Sequence, residues 1–242
     1  MRYSLIIPAW NEAELLPRTL SHTQQIMDTL ASQSSHVGEL IVVDNNSTDA
    51  TARVARAAGA TVVFEPVNQI ARSRNRGVSI ASGDALVFVD ADTLCSKKLL
   101  QQALDLLSSE TVVGGGTVIA IDRDAGRFGT YGVWLWNWLS RRARMAAGCF
   151  VFCRRDAFDA VGGFNVKVFA GEEIYLSRRL KRWGRRHSMR FEILDVEPVI
   201  TSARKLHWYS PLQIILQAAL VLIPGAIYSK RLCRTWYDRS RR

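Results

Sequence analysis

The chain has 242 residues, 48% hydrophobic and 22% charged, with four cysteines and a formal net charge of +10. This composition excludes a disordered or fibrous chain, and four cysteines without paired Cys-x-x-Cys spacing exclude a zinc ribbon or a disulfide-dense secreted scaffold. The charge is uneven: residues 1–140 carry 11 basic and 14 acidic side chains, whereas residues 141–242 carry 21 and 8. The second half therefore suits an anionic partner such as nucleic acid, an anionic membrane surface or a phosphorylated substrate; solubility alone is the plainer account.

In chain order, apolar runs alternate with helical patterns. Strands are expected over 3–7, 39–43, 61–65, 85–89 and 112–121, with helices over 12–33, 48–58, 71–82 and 96–108 between them. This βα alternation predicts a mostly parallel central sheet flanked by helices. In such a sheet ligands bind at the strand C-termini, so residues 8–12, 44–48 and 90–92 should meet along one edge. No repeat or low-complexity linker marks a second independent domain. The N-terminus enters a strand at once and breaks at Pro8, unlike an export signal, so a cytoplasmic location with reduced thiols is expected.

Beyond residue 125 the pattern changes. Residues 131–144 place Trp134, Trp136 and Trp138 within five residues and then a basic cluster. The segment reads as an amphipathic helix, either a core helix or one that meets a membrane interface or a hydrophobic acceptor. The apolar run 212–223 is twelve residues long and closed by Pro224-Gly225, short of the roughly 20 needed to span a bilayer. Its aromatic and basic flanks leave two readings, packing on the core or contact with the inner membrane surface.

The chemistry-bearing residues sit at strand ends. Asp90 and Asp92 follow the apolar run 85–89, and two carboxylates so placed suit Mg²⁺ or Mn²⁺ with open positions for phosphate; a solvated turn is the alternative. Asp44 can accept a nucleobase N–H or cap the next helix, as Asn46 or Ser47 could also do. Glu12 can bond a ribose or favour the positive end of a helix. Of Arg72, Arg74 and Arg76, not all can point inward, and Arg72 is the preferred contact to a nucleotide. Glu172 and Glu173 open a helical stretch, as a general base or as a pair favoured by the helix dipole.

Five segments in order carry a resemblance: Ser4-Leu-Ile-Ile-Pro-Ala-Trp-Asn-Glu, Glu39-Leu-Ile-Val-Val-Asp-Asn-Asn-Ser-Thr-Asp, Arg72-Ser-Arg-Asn-Arg-Gly through to Asp90-Ala-Asp92, Gly148-Cys-Phe-Val-Phe-Cys-Arg-Arg-Asp, and Gly171-Glu-Glu-Ile. Together they resemble the family 2 glycosyltransferases, which have the GT-A fold. The resemblance implies a GT-A domain over 1–200, with a nucleotide-sugar half (1–95) and an acceptor half (110–200), and a basic, apolar helical extension over 201–242. It implies that Pro8, Ala9 and Glu12 pack against the nucleoside, that Asp44 contacts the base, that Asp90 lies near ribose and metal, and that Asp92 holds Mg²⁺ or Mn²⁺. Glu173 aligns with the base; the family usually has Glu-Asp where this chain has Glu-Glu, so Glu172 stays a second candidate. Arg204 or His207 could lie near the diphosphate.

The implied activity is inverting, non-processive hexosyl transfer from a UDP- or GDP-sugar to an acceptor hydroxyl, with a lipid-linked acceptor suggested by the tryptophan segment and basic second half. The chain lacks the Gln-x-x-Arg-Trp motif of processive members. The competing reading is an inactive module of the same fold that binds a nucleotide or an anionic polymer. A nucleotidyltransferase would carry a Gly-rich phosphate loop after the first strand, and a nucleic-acid binder a helix-turn-helix, zinc or RNA-binding signature; the sequence has none of these.

Overall fold

The computed structural model describes residues 1–122, 126–204, 213, 216 and 225–233. The apolar runs become buried strands. β1 (Arg2–Ala9), β2 (Val37–Asp44), β3 (Thr61–Phe64) and β4 (Ala85–Val89) pair in parallel. Parallel strands need long crossovers, and α1 (Leu16–Gln33), α2 (Thr51–Ala57) and α3 (Ile70–Val78) supply them. The chain continues through β5 (Thr93–Leu94), α4 (Lys97–Ser108), β6 (Val112–Ile121), α5 (Gly126–Ala143), β7 (Phe150–Arg154), α6 (Arg155–Ala160), α7 (Glu172–Arg186) and β8 (Arg190–Thr201).

Among the described residues, the eight strands form one sheet in the order β3-β2-β1-β4-β7-β6-β8-β5. β7 runs antiparallel to both β4 and β6, and β5 runs antiparallel to β8, while β6 and β8 are parallel. The sheet is thus mostly parallel, with its reversals confined to the second half. Both faces are covered: one cluster packs α1 and α4 residues such as Leu16, Leu20, Leu99 and Leu104 on Leu5, Val42 and Val87, and the other packs Phe88, Phe158, Phe164 and Leu176. Double coverage is why β4 is apolar at every position.

The β6–β8 junction depends on glycine. A Cβ on Gly115 would lie 2.1 Å from the Glu192 carbonyl oxygen, and one on Gly114 2.5 Å from that of Phe152. The Gly114–Gly116 run lets β6 lie flush between β7 and β8.

Two helices begin later than their apolar pattern suggests. α1 starts at Leu16, not 12, because side chains of the next loop capture the preceding backbone: Asn11 N–H donates to Ser47 Oγ (3.0 Å), Glu12 N–H to Thr51 Oγ1 (2.8 Å) and Ala13 N–H to Asp49 Oδ2 (3.1 Å). Pro17 then sits in the first turn, where its missing N–H costs nothing. α2 starts at Thr51 because the loop before it is the other half of this weave, and Asn46 takes the left-handed conformation asparagine tolerates (φ 60°). Asp49 Oδ1 accepts the Thr51 N–H (2.9 Å) at the start of the helix.

Among the described residues no helix is long and apolar enough to cross a membrane. The run 212–223 and His207 lie outside the described residues, save Gln213 and Leu216. The four cysteines are free and buried. Burial pushes the Cys95 thiol up to about 12 and those of Cys149 and Cys153 above that, so these thiols are unreactive packing groups.

Candidate active site

The strand ends converge as the topology requires. Ala9 pairs with Asp44 across β1 and β2, and Asn45 N–H donates to the Ala9 carbonyl (2.8 Å). Pro8 is half-buried beside Val43, and Asp44 is buried with Oδ1 accepting the Ser47 N–H (3.0 Å). At Asp44 one carboxylate oxygen therefore makes the loop-capping bond that the sequence left as the alternative to base recognition.

Two arginines, Arg74 buried and Arg204 half-buried, organise the carboxylates. Arg74, from the inward face of α3, is 2% exposed. It donates from Nη1 to Glu172 Oε1 (2.8 Å) and from Nη2 to Asp90 Oδ1 (3.0 Å) and the Gly148 carbonyl (2.7 Å), with the Phe164 ring 5.1 Å from its Cζ. Burial alone would lower its pKa, but the charges of Asp90, Glu172 and Glu173 outweigh this and hold it above the ordinary arginine value. Arg204, just past β8, forms a two-pronged pair with Glu12 (2.8 and 2.6 Å) and reaches Asp92 Oδ2 at 3.0 Å. Burial opposes its charge too, and the Glu12 bond with the Asp92 and Glu12 charges overcomes it.

Glu173 is different. It starts α7 beside Glu172, behind the left-handed Gly171 (φ 69°). Its carboxyl lies close to Gly148, whose Cβ, if present, would be 3.5 Å from Glu173 Cδ and 3.4 Å from Arg74 Nη2. Among the described residues it forms no ion pair. Desolvation raises its pKa first, then the Glu172 charge; Arg74 pulls it back only in part, leaving it pushed up from 4.5 to about 8. A carboxyl held near neutrality and next to a charged cluster has the properties of a general acid or base.

Arg72, the preferred contact in the sequence reading, turns instead to Glu65 (3.1 Å) on the rim beyond β3 and does not reach the carboxylate cluster. The arginine that enters the cluster is Arg74. The signal was present in the sequence: Ala71, Arg74, Gly77 and Val78 share one helical face of small or apolar residues, which sets Arg74 against the sheet and Arg72 and Arg76 off it. Glu12 is brought to Asp92 by Arg204, a partner 192 positions away. Glu172 is brought to Asp90 by Arg74.

The donor set tests the fit of a divalent cation. Asp90 and Asp92 offer hard oxygen atoms two positions apart, but among the described residues no group of three or more His, Cys, Asp or Glu side chains could hold a metal unaided. The two carboxylates themselves suit a Mg²⁺ or Mn²⁺ ion whose remaining ligands come from a diphosphate and water. Arg204 and Arg74 hold these carboxylates in place.

Replacing Arg204 by glutamine would leave Glu12 and Asp92, both largely buried, without their shared cation. The expected loss is about 1–3 kcal/mol of stability, read as a lower denaturation midpoint at unchanged slope.

A parallel sheet with three strand-end loops meeting at an acidic edge, continued by a mixed second half, is the architecture of the GT-A glycosyltransferase fold. The pattern of "Glycosyl transferase family 2" matches residues 4–162, and the chain belongs to that family. It is 25% identical over 209 residues to glycosyltransferase AglE of Haloferax volcanii, an alignment covering 81% of this chain and 66% of AglE; the chain thus spans just under two thirds of that relative. Staphylococcus aureus TarS 1–349 superposes with a TM-score of 0.64 at 15% identity, covering 99% of this chain and 71% of that one, and has also been crystallised with UDP-GlcNAc. Mycobacterium tuberculosis glucosyl-3-phosphoglycerate synthase, crystallised with Mn²⁺, UDP-glucose and phosphoglyceric acid, superposes with a TM-score of 0.61 at 20% identity, covering 96% and 80% of the two chains.

Proposed function

We propose that the chain is a metal-dependent, inverting, non-processive glycosyltransferase that moves a sugar from a UDP- or GDP-sugar to the hydroxyl of a lipid-linked acceptor. The observation that carries this is Glu173: a carboxyl without an ion pair among the described residues, at the junction of the strand-end acids and the loop before β7. In this reading Glu173 takes the proton of the attacking hydroxyl, while Glu172, neutralised by Arg74, positions the start of α7. Pro8, Ala9 and Asp44 line the nucleoside side. Arg72 stands at the outer rim near Asp44. A single base acting opposite the leaving group gives inversion.

Asp92, with Asp90, would hold Mg²⁺ or Mn²⁺, which when bound neutralises charge on the departing nucleoside diphosphate. Arg204 is placed to meet the same phosphates, since it already lies on Asp92. The UDP-sugars in the two structural relatives, and the Mn²⁺ in glucosyl-3-phosphoglycerate synthase, support this donor reading. The basic second half and the tryptophan helix α5 support the acceptor reading.

Titration calorimetry with UDP, GDP, CDP and their common sugar conjugates, with and without Mn²⁺, tests it. One nucleoside diphosphate should bind, and more tightly with Mn²⁺; Asp92→Asn should remove most of the Mn²⁺-dependent gain. Absence of binding across the panel by folded protein would sink the reading in favour of a module without transferase chemistry.

A further inference from the structure

Helix α5 carries an exposed surface that lies outside the carboxylate cluster of the candidate site. Tyr131, Trp134, Leu135, Trp138 and Leu139 follow the i, i+3, i+4, i+7, i+8 spacing of one helical stripe, and all five are exposed: Tyr131 61%, Trp134 56% and Trp138 49%. Tyr131 and Trp134 stack at 5.5 Å. The opposite side anchors the helix: Asn137 bonds the Ile119 backbone through both its Oδ1 and its Nδ2 (2.9 Å each), and Trp136 packs on the core. Soluble surfaces rarely gather this much aromatic area without a ligand.

Cations border the C-terminal end of the stripe. Arg141, Arg142 and Arg144 are exposed. From α7, Lys181 Nζ donates to the Ala143 carbonyl (2.7 Å), tying a second basic helix to the same end. The charges of Arg178, Arg185 and Arg144 all act on Lys181. Among the described residues, Asp195, paired with Arg141 (2.6 Å), is the one carboxylate that forms an ion pair with these cations.

We propose that this face of α5 docks on an anionic lipid bilayer. Amphipathic tyrosine and tryptophan settle at the boundary between headgroups and acyl chains, and the flanking arginines and lysine meet anionic headgroups, which attract basic side chains near the surface. An anionic surface complements these exposed cations, which a second copy of a chain of net charge +10 does not. The stripe leads directly to the site: the chain passes from Arg144 to Gly148, against which Glu173 lies, in four residues, at most about 14 Å of extended backbone. Docking therefore sets the candidate base at the depth of a lipid headgroup. This last consequence, for the acceptor, rests on the proposed transfer reaction; the docking itself rests on the surface.

Cosedimentation of the full chain with vesicles of phosphatidylcholine alone, and of equimolar phosphatidylcholine and phosphatidylglycerol, tests the proposal. The chain should pellet with the anionic vesicles and be released by salt. Trp134→Ser with Trp138→Ser should lower the partition coefficient about tenfold or more, and Arg142→Gln with Arg144→Gln about thirtyfold. Both double variants should keep the wild-type unfolding midpoint, because all four side chains are exposed. The proposal is overturned if folded wild-type chain leaves anionic vesicles unbound, or if both double variants bind them as tightly as wild type. It is also overturned if the tryptophan variant abolishes self-association seen by sedimentation velocity without changing vesicle binding, which would assign the stripe to a second copy. No sugar donor enters these measurements, so docking and nucleotide binding stand or fall separately.

Discussion

Replacing Glu173 by glutamine is expected to lower turnover by about 10²–10⁴-fold, the usual contribution of a positioned base, while leaving nucleotide affinity near that of wild type. Glutamine keeps the shape and removes only the ability to accept a proton. The pH dependence sharpens the test. With the Glu173 pKa raised from 4.5 to about 8, a base at this position is mostly protonated at neutral pH in the substrate-free chain, so kcat/KM should rise about tenfold per pH unit and level off near pH 8. Stability runs the other way. The unfolded chain releases this proton near pH 4.5 and the folded chain retains it to about 8, so the wild type loses stability as pH rises through that window. Glu173→Gln, which has no proton to release there, should melt higher than wild type at pH 8 and match it near pH 4. Glu172→Gln should behave oppositely: it unbalances the Arg74 pair and lowers stability more than it lowers turnover. Near-normal turnover in Glu173→Gln together with a collapsed rate in Glu172→Gln would exchange the two roles.

The first half of the fold was legible because its physics is local. Fully buried parallel strands read as unbroken apolar runs, and 112–121 and 85–89 match β6 and β4 at both ends. Carboxylates that close such runs must land on one sheet edge, as Asp44 and Asp90 do. What failed to read was set by distant partners. The early helix starts at 12 and 48 were lost because Ser47, Asp49 and Thr51 capture the 11–13 backbone. β8 runs through Pro198 as one strand, with a bulge opposite Thr117–Ile119 that only its pairing with β6 defines. That β7 runs antiparallel depends on its neighbours, not on its own residues. Arg204 resisted assignment because a lone arginine after a strand carries no periodicity; only the folded chain brings it to Glu12. Arg74 is the instructive miss, since the helical face that buries it was there to be read.

Arg74→Met should produce the largest loss of stability of any single change in the site. The guanidinium is 2% exposed and joins Asp90, Glu172 and the Gly148 carbonyl, so it holds α3, the end of β4, the loop before β7 and the start of α7 in one arrangement. Methionine fills much of the volume but leaves a buried Glu172 beside Asp90 and Glu173 with no cation between them. Removing one partner of a buried pair in this way costs about 3–5 kcal/mol, an expected fall of about 6–20 °C in melting temperature for a chain of this size. A purely structural role would end there. Arg74 also lowers the Glu173 pKa, so without it the base should titrate higher still, and the rise of kcat/KM should extend above pH 8. Arg74→Lys separates the two roles: it keeps the charge and should hold the pH break near that of wild type, but an ammonium cannot reproduce the planar fork that spans three acceptors, so part of the stability stays lost. An Arg74→Met chain with an unshifted pH profile would mean that Arg74 only braces the fold, and that Glu173 owes its properties to burial and to Glu172 alone.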